Sequence, residues 1–235
     1  SWHLPVNRHV EYVKEIQRLK EVYKDKLEIL CGFEADYFPP VAMPDTCGFK
    51  EFSPDYIIGS VHFVTGDNLD DGCFTVDGPV EEIENGIKTV FKGNEKKAVQ
   101  TYFATERAML ESGASFDVMG HPDIIRKQNG KMHFFDENDG WYKRELIATA
   151  NAIKKWGGIV EINTGGMSRA GVPSPYPSPF FLALLRERNV PVMINTDCHK
   201  TEGLCADMDK GLEEAKTAGY TELWYLSDGS WKSYS

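Results

Sequence analysis

Residues 116–123 read FDVMGHPD, and this stretch decides the fold. Its apolar residues are consecutive rather than alternating, and a histidine and an aspartate follow at once. A continuous apolar run bounded by glycine and proline is the pattern of a strand buried on both faces. Four other runs have the same character: LEILCG (27–32), DYIIGSVHFV (55–64), GIVEINT (158–164) and PVMINTD (191–197). Helical periodicity fills the intervals, at residues 8–24, 80–91, 95–112, 142–156, 179–189 and 206–218. Asn7 is the expected N-cap of the first helix. Loops rich in Pro, Gly and Asp span 39–54 and 165–177, and the run ELWYL (222–226) closes the order. Strands alternating with helices predict a parallel sheet covered by helices. No repeat, linker or low-complexity segment divides the chain, so residues 1–235 read as a single α/β domain.

The polar residues favour a barrel over an open sheet. Glu34, His62, His121, Asn163, Asp197 and His199 fall at or just beyond the C-terminal ends of five successive strands. In a β/α barrel those ends converge on one mouth. Neither GxGxxG nor GxxxxGK[ST] occurs.

Composition removes several function classes. The 26 basic and 36 acidic side chains leave a net charge of −10, which opposes any general attraction to nucleic acid or anionic membranes. No apolar run approaches the roughly 18–20 residues that span a bilayer, and no signal peptide opens the sequence. The five cysteines, Cys31, Cys47, Cys73, Cys198 and Cys205, show no CxxC pairing, so a reducing cytoplasmic setting is expected. A phosphorylated substrate would need local positive charge, which bound metal ions supply.

Ionisable groups beside apolar strands are costly unless paired or metal-bound. Imidazole with carboxylate suits zinc, manganese and iron. In D-x-H, Asp197 and His199 point to the same side of an extended segment, so both can face one site. The pattern points to a divalent metal centre.

The series GFEAD (32–36), IIGSVHF (57–63), FDVMGHPD (116–123), VEINTGG (160–166) with Arg169 and YPSP (176–179), and INTDCH (194–199) resembles the histidinol-phosphatase branch of the PHP (polymerase and histidinol phosphatase) family. The resemblance runs from the first helix to the last strand. It implies a distorted (β/α)7 TIM-like barrel of the PHP type with a trinuclear metal site. Glu34 would bridge two metals, His62 and His121 would complete the second, Asp197 would bind the first and His199 the third. The family's opening HxH strand and a second-strand histidine have no counterpart here, because His3 and His9 are the only histidines before Glu34. The expectation is therefore a barrel missing about two N-terminal strands. It would hold at most one tight metal rather than three, with weak activity and with a homo-oligomer covering the exposed edge.

The activity implied is hydrolysis of a small phosphate monoester, L-histidinol phosphate first. The alternatives are a nucleotide or other small phosphoester, or a non-catalytic remnant of the fold. Arg169 is the candidate phosphate grip, and the other reading is a solvated surface arginine. His3 and Trp2 are candidates for the substrate entrance. Arg126 and Lys127 read as a solvated helix or loop face, and the other reading is that they add positive potential at the mouth. Ser178 reads as a helix cap, Cys198 as a filler, and His9 and His133 as surface residues.

Overall fold

The computed structural model describes residues 3–45, 48–67 and 69–235. In chain order the elements are α1 (His9–Tyr23), β1 (Gly32–Asp36), β2 (Tyr56–Ser60), β3 (Phe63–Thr65), β4 (Cys73–Thr75), α2 (Val80–Val90) and α3 (Glu95–Glu111). There follow β5 (Val118–Met119), α4 (Asn129–Met132), α5 (Gly140–Trp156), β6 (Ile159–Asn163), α6 (Gly165–Ala170), α7 (Pro179–Glu187), β7 (Val192–Asn195), α8 (Met208–Thr217), β8 (Leu223–Ser227) and β9 (Ser230–Tyr234). The central sheet has the order β1-β2-β5-β6-β7. Every neighbouring pair in it is parallel. Two antiparallel hairpins, β3-β4 and β8-β9, stand apart from it. Among the described residues β1 and β7 are the two edges of the sheet and do not pair with each other, so the fold is an α/β parallel sheet.

Continuous apolar strands produced the buried sheet that their pattern predicts. All five residues of β6 are buried. Helices α3, α5 and α7 cover it with Tyr102, Phe103, Tyr142, Leu146, Ile153, Phe181 and Leu185 in the main core. A smaller core lies under α1, where Val13 meets Phe33, Ala35, Phe49 and Ile57.

Four local expectations are corrected. The first strand is not LEILCG but GFEAD. Leu27 is exposed, and the Cys31 N–H is taken by the Asp55 carboxylate at 2.6 Å, so pairing with β2 begins only at Gly32. Glu34 is therefore the middle residue of β1, on the face opposite the buried Phe33 and Ala35. DYIIGSVHFV breaks at Val61–His62, and Phe63–Thr65 turns away to pair with β4. Asn7 lies in a 3-10 turn, and α1 starts at His9 without a side-chain cap. His9 is buried rather than at the surface: its ring packs 5.5 Å from both Phe33 and Phe49 and 6.1 Å from Phe52, so an imidazole fills an aromatic nest. His133 is exposed, as expected.

Candidate metal centre

Three strands deliver the central cluster. β1 carries Glu34 outward, His62 sits two residues beyond β2, and His121 sits two residues beyond β5. One ligand atom from each of these side chains lies within 4.8 Å of those of the other two. Glu34 Oε1 is 2.8 Å from His121 Nε2 and 3.6 Å from His62 Nε2. The two imidazole rings are 4.8 Å apart. Ser60 Oγ donates to Glu34 Oε1 at 2.8 Å. That contact depends on Gly120, where a Cβ would come within 2.3 Å of Ser60 Oγ.

The electrostatics are those of a coupled pair. Burial would push the Glu34 carboxyl up. The hydrogen bond and charge of His121, then His62 and Ser60, instead hold it well below the carboxylate range. Burial would lower the His121 imidazole, and the contact with Glu34 overrides this and raises it. His121 Nδ1 is buried without a hydrogen-bond partner, and its backbone sits at φ 23°. Glu161 pins that backbone: it accepts from the His121 N–H at 2.8 Å, from Asn163 Nδ2 at 3.0 Å and from Asn195 Nδ2 at 2.8 Å. One buried carboxylate thus ties the ends of β5, β6 and β7 together. Burial raises its pKa.

A cavity of about 260 Å³ opens over the cluster. Its lining includes His3, Glu34, His62, His121, Arg169, Asp197 and His199, together with Asp77, Lys127 and Tyr176. A larger cavity, about 850 Å³, lies elsewhere, around α4 and the start of α7, and shares only Lys127 with this one. A third, of about 510 Å³, meets the cluster at Glu34 and is also lined by His3, His9 and Asp36; of the three, only the 260 Å³ cavity is lined by Glu34, His62 and His121 together.

The far wall is arranged differently. Arg169 belongs to the short helix α6, not to a loop. Its Nη2 donates to Asp197 Oδ2 at 2.6 Å, and Nη1 reaches the Asp197 and Thr196 carbonyls. Gly165 makes room, since a Cβ there would lie 2.5 Å from Arg169 Nη1. His199 Nδ1 is 2.8 Å from the Asp197 carbonyl, and its side chain is 68% exposed. Asp197 and His199 line the cavity but do not join the 4.8 Å cluster.

Other assignments change with the structure. Arg126 is buried, donating to Glu137 at 2.8 Å and to Ser174 Oγ at 3.0 Å, so its charge is used to fasten the 173–178 loop. Lys127 is half-buried and pairs with Asp77 at 3.0 Å on the cavity wall. Ser178 occupies the N-cap of α7, but its hydroxyl makes no capping bond. Cys198 is exposed and, like Cys31, Cys73 and Cys205, is a free thiol. Trp2 and Cys47 lie outside the described residues.

Two site residues escaped the sequence reading. Asp36 receives His62 Nδ1 at 2.6 Å and His3 Nε2 at 2.6 Å. The signal was present in GFEAD, since residues two apart on a strand share a face. Glu161 is marked in sequence as a lone acid inside an apolar strand.

The donor set, one carboxylate oxygen and two imidazole nitrogens around one point, fits a divalent transition metal ion.

A family profile described as PHP domain matches residues 3–165. A protein from Deinococcus radiodurans named "Probable histidinol-phosphatase" is 26% identical over 199 residues, covering 85% of this chain and 68% of that protein. One from Schizosaccharomyces pombe with the same name is 28% identical over 224 residues, covering 93% and 69%. The crystal structure of histidinol phosphate phosphatase from Lactococcus lactis, complexed with zinc, L-histidinol and phosphate, superposes with a TM-score of 0.60 at 19% identity. The match covers 95% of this chain and 79% of that one. No helix among the described residues is long and apolar enough to cross a membrane.

Proposed function

Because this chain belongs to the PHP domain family, we propose that it is a metal-dependent phosphomonoesterase that hydrolyses L-histidinol phosphate to L-histidinol and phosphate. The observation that carries the reading is the Glu34–His62–His121 cluster at the floor of a cavity that two cationic side chains, Lys127 and Arg169, also line. The relatives named as histidinol-phosphatases, and the neighbour complexed with zinc, L-histidinol and phosphate, support the substrate.

Glu34, His62 and His121 would hold the cation, with Asp197 and His199 as further ligand candidates on the opposite wall. A bound divalent cation supplies Lewis acidity toward a phosphoryl oxygen and acidifies water. Zinc, manganese and iron all suit the donor set. Arg169 acts on the phosphate: its guanidinium now forks onto Asp197, and a phosphate entering the cavity presents a better matched, doubly charged acceptor to the same fork. Held there, it stabilises charge on the equatorial oxygens as the ester bond lengthens. His3, which also lines the cavity, would meet the leaving alcohol.

We read the sheet as part of a distorted (β/α)7 barrel within one domain. Five strands laid flat would place β1 and β7 roughly 19 Å apart at ~4.8 Å per interval. Glu34 on β1 and Asp197 after β7 nevertheless line the same cavity. That shared lining supports a curled sheet.

Phosphate release from L-histidinol phosphate, a nucleoside monophosphate and p-nitrophenyl phosphate tests the proposal. Metal-loaded protein should prefer the first substrate and lose turnover on chelation. Turnover that survives complete metal removal, or equal rates on all three, would contradict it.

A further inference from the structure

One carboxylate outside the cluster, Asp36, contacts an imidazole ring of the cluster directly. It follows Glu34 by two residues on β1, so the strand sends both carboxylates to the same side. Asp36 Oδ1 lies 2.6 Å from His62 Nδ1, and both side chains are largely buried, at 12% and 7% exposed. The other oxygen, Oδ2, lies 2.6 Å from His3 Nε2. His3 in turn stacks on Phe63, the residue after His62, with ring centroids 6.0 Å apart and planes inclined by 13°. Asp36 is therefore fixed on both sides.

We infer that Asp36 is a positioning residue of the metal centre, holding His62 in the tautomer that presents Nε2 to a cation, and that His3 secures Asp36 in that task. The inference rests on reading Glu34, His62 and His121 as metal ligands. A carboxylate only accepts hydrogen bonds, so the nitrogen facing it carries the proton. With Nδ1 protonated, the lone pair of the neutral ring sits on Nε2, which faces Glu34 Oε1 at 3.6 Å. Carboxylate partners of this kind set the tautomer, fix the ring plane and make the ligating nitrogen more basic. Asp36 is outside the three-residue cluster and does not line the 260 Å³ cavity that all three cluster residues share. It lines instead the neighbouring cavity of about 510 Å³ beside Glu34 and His3, so its effect on the cluster passes through His62.

The test compares wild type, Asp36→Asn and Asp36→Ala, with two readouts apart from turnover: zinc affinity by competition with a chromogenic chelator, and the ¹⁵N shifts of the His62 ring. Wild type should bind zinc and show a single Nδ1–H tautomer. Asp36→Ala should lose roughly 10–100-fold in zinc affinity and show mixed tautomers. Asp36→Asn, close to isosteric and expected to fold if the alanine variant does not, should fall between them, because its amide oxygen still accepts from Nδ1. Wild-type protein that binds no zinc would overturn the metal reading itself. Zinc bound as tightly by Asp36→Ala as by wild type, with one unchanged His62 tautomer, would overturn the role of Asp36 and leave the metal centre standing. If the alanine variant does not fold, undiminished zinc affinity in Asp36→Asn, which keeps the acceptor but not the charge, would do the same.

Discussion

On the β1–β2–β5 wall of the cavity, Glu34, His62 and His121 interlock. Their ligand atoms lie within 4.8 Å, both imidazoles are buried, and Ser60, Asp36 and Glu161 hold them from behind. On the β7 wall, Asp197 is spent on Arg169 and His199 is 68% exposed. Both walls descend from the same kind of signal, polar residues following apolar strands. Only one of them is organised for a cation in advance. A buried imidazole pair around a carboxylate gains most from an ion, since burial without compensation is costly. An exposed histidine beside an already paired aspartate gains less. On the proposed reading the first wall would anchor the cation, and the second would meet the substrate.

The most severe way to break this comparison is Glu34→Gln. It should weaken metal binding by more than about 100-fold, beyond the range for outer-shell partners, and abolish turnover in parallel. Retained affinity in a chelator competition would move the centre to the β7 wall. Arg169→Ala should leave metal content constant and lower kcat/KM on phosphate monoesters by roughly 10–100-fold, the scale of one charge-assisted hydrogen bond. Lost metal instead would show that the fork supports Asp197 as a ligand.

Behind the first wall, Glu106 offers a pH test. It is fully buried, accepting from Tyr102 Oη at 2.6 Å and from the Asp123 N–H at 3.2 Å. Burial is the largest influence on it. The bonds from Tyr102 and Asp123 oppose burial, the Asp123 charge reinforces it, and the net result lifts the carboxyl to about 8. A raised carboxyl means the folded state binds more protons than the unfolded one between about 4.5 and 8. Wild-type stability should therefore fall across that window, by at most about 1.4 kcal/mol per pH unit from this group. Glu106→Gln should flatten the decline in melting temperature against pH, and an unchanged slope would assign the titration elsewhere. The smallest effect is expected of His199→Ala: its exposed ring should contribute within about 0.5 kcal/mol of stability in denaturant unfolding. A larger loss would mean the β7 wall is more tightly built than its exposure implies.

Much of this was legible in residue order. The β6 segment needed only its continuous apolar run, and His62 and His121 only their position after such runs; Glu34 instead lies within its strand, GFEAD. What was hidden depended on partners distant in the chain. The register of β1 was hidden because LEILCG looks like the strand, whereas Leu27 is exposed and the ladder with β2 starts at Gly32 opposite Tyr56. His9 was misread because its burial comes from Phe33, Phe49 and Phe52, which no local pattern announces. Arg126 was misread because its anchors lie at Glu137 and Ser174. Asp36, Glu161 and the β8-β9 hairpin were legible but passed over. The hairpin turns at Asp228-Gly229, both at positive φ, as a two-residue turn prefers.

The most direct measurement is a crystal structure of zinc-loaded protein with anomalous data collected at the zinc edge. The expected result is a peak coordinated by Glu34, His62 Nε2 and His121. A peak held by Asp197 and His199 with none of those three, or no peak in this cavity, would contradict it.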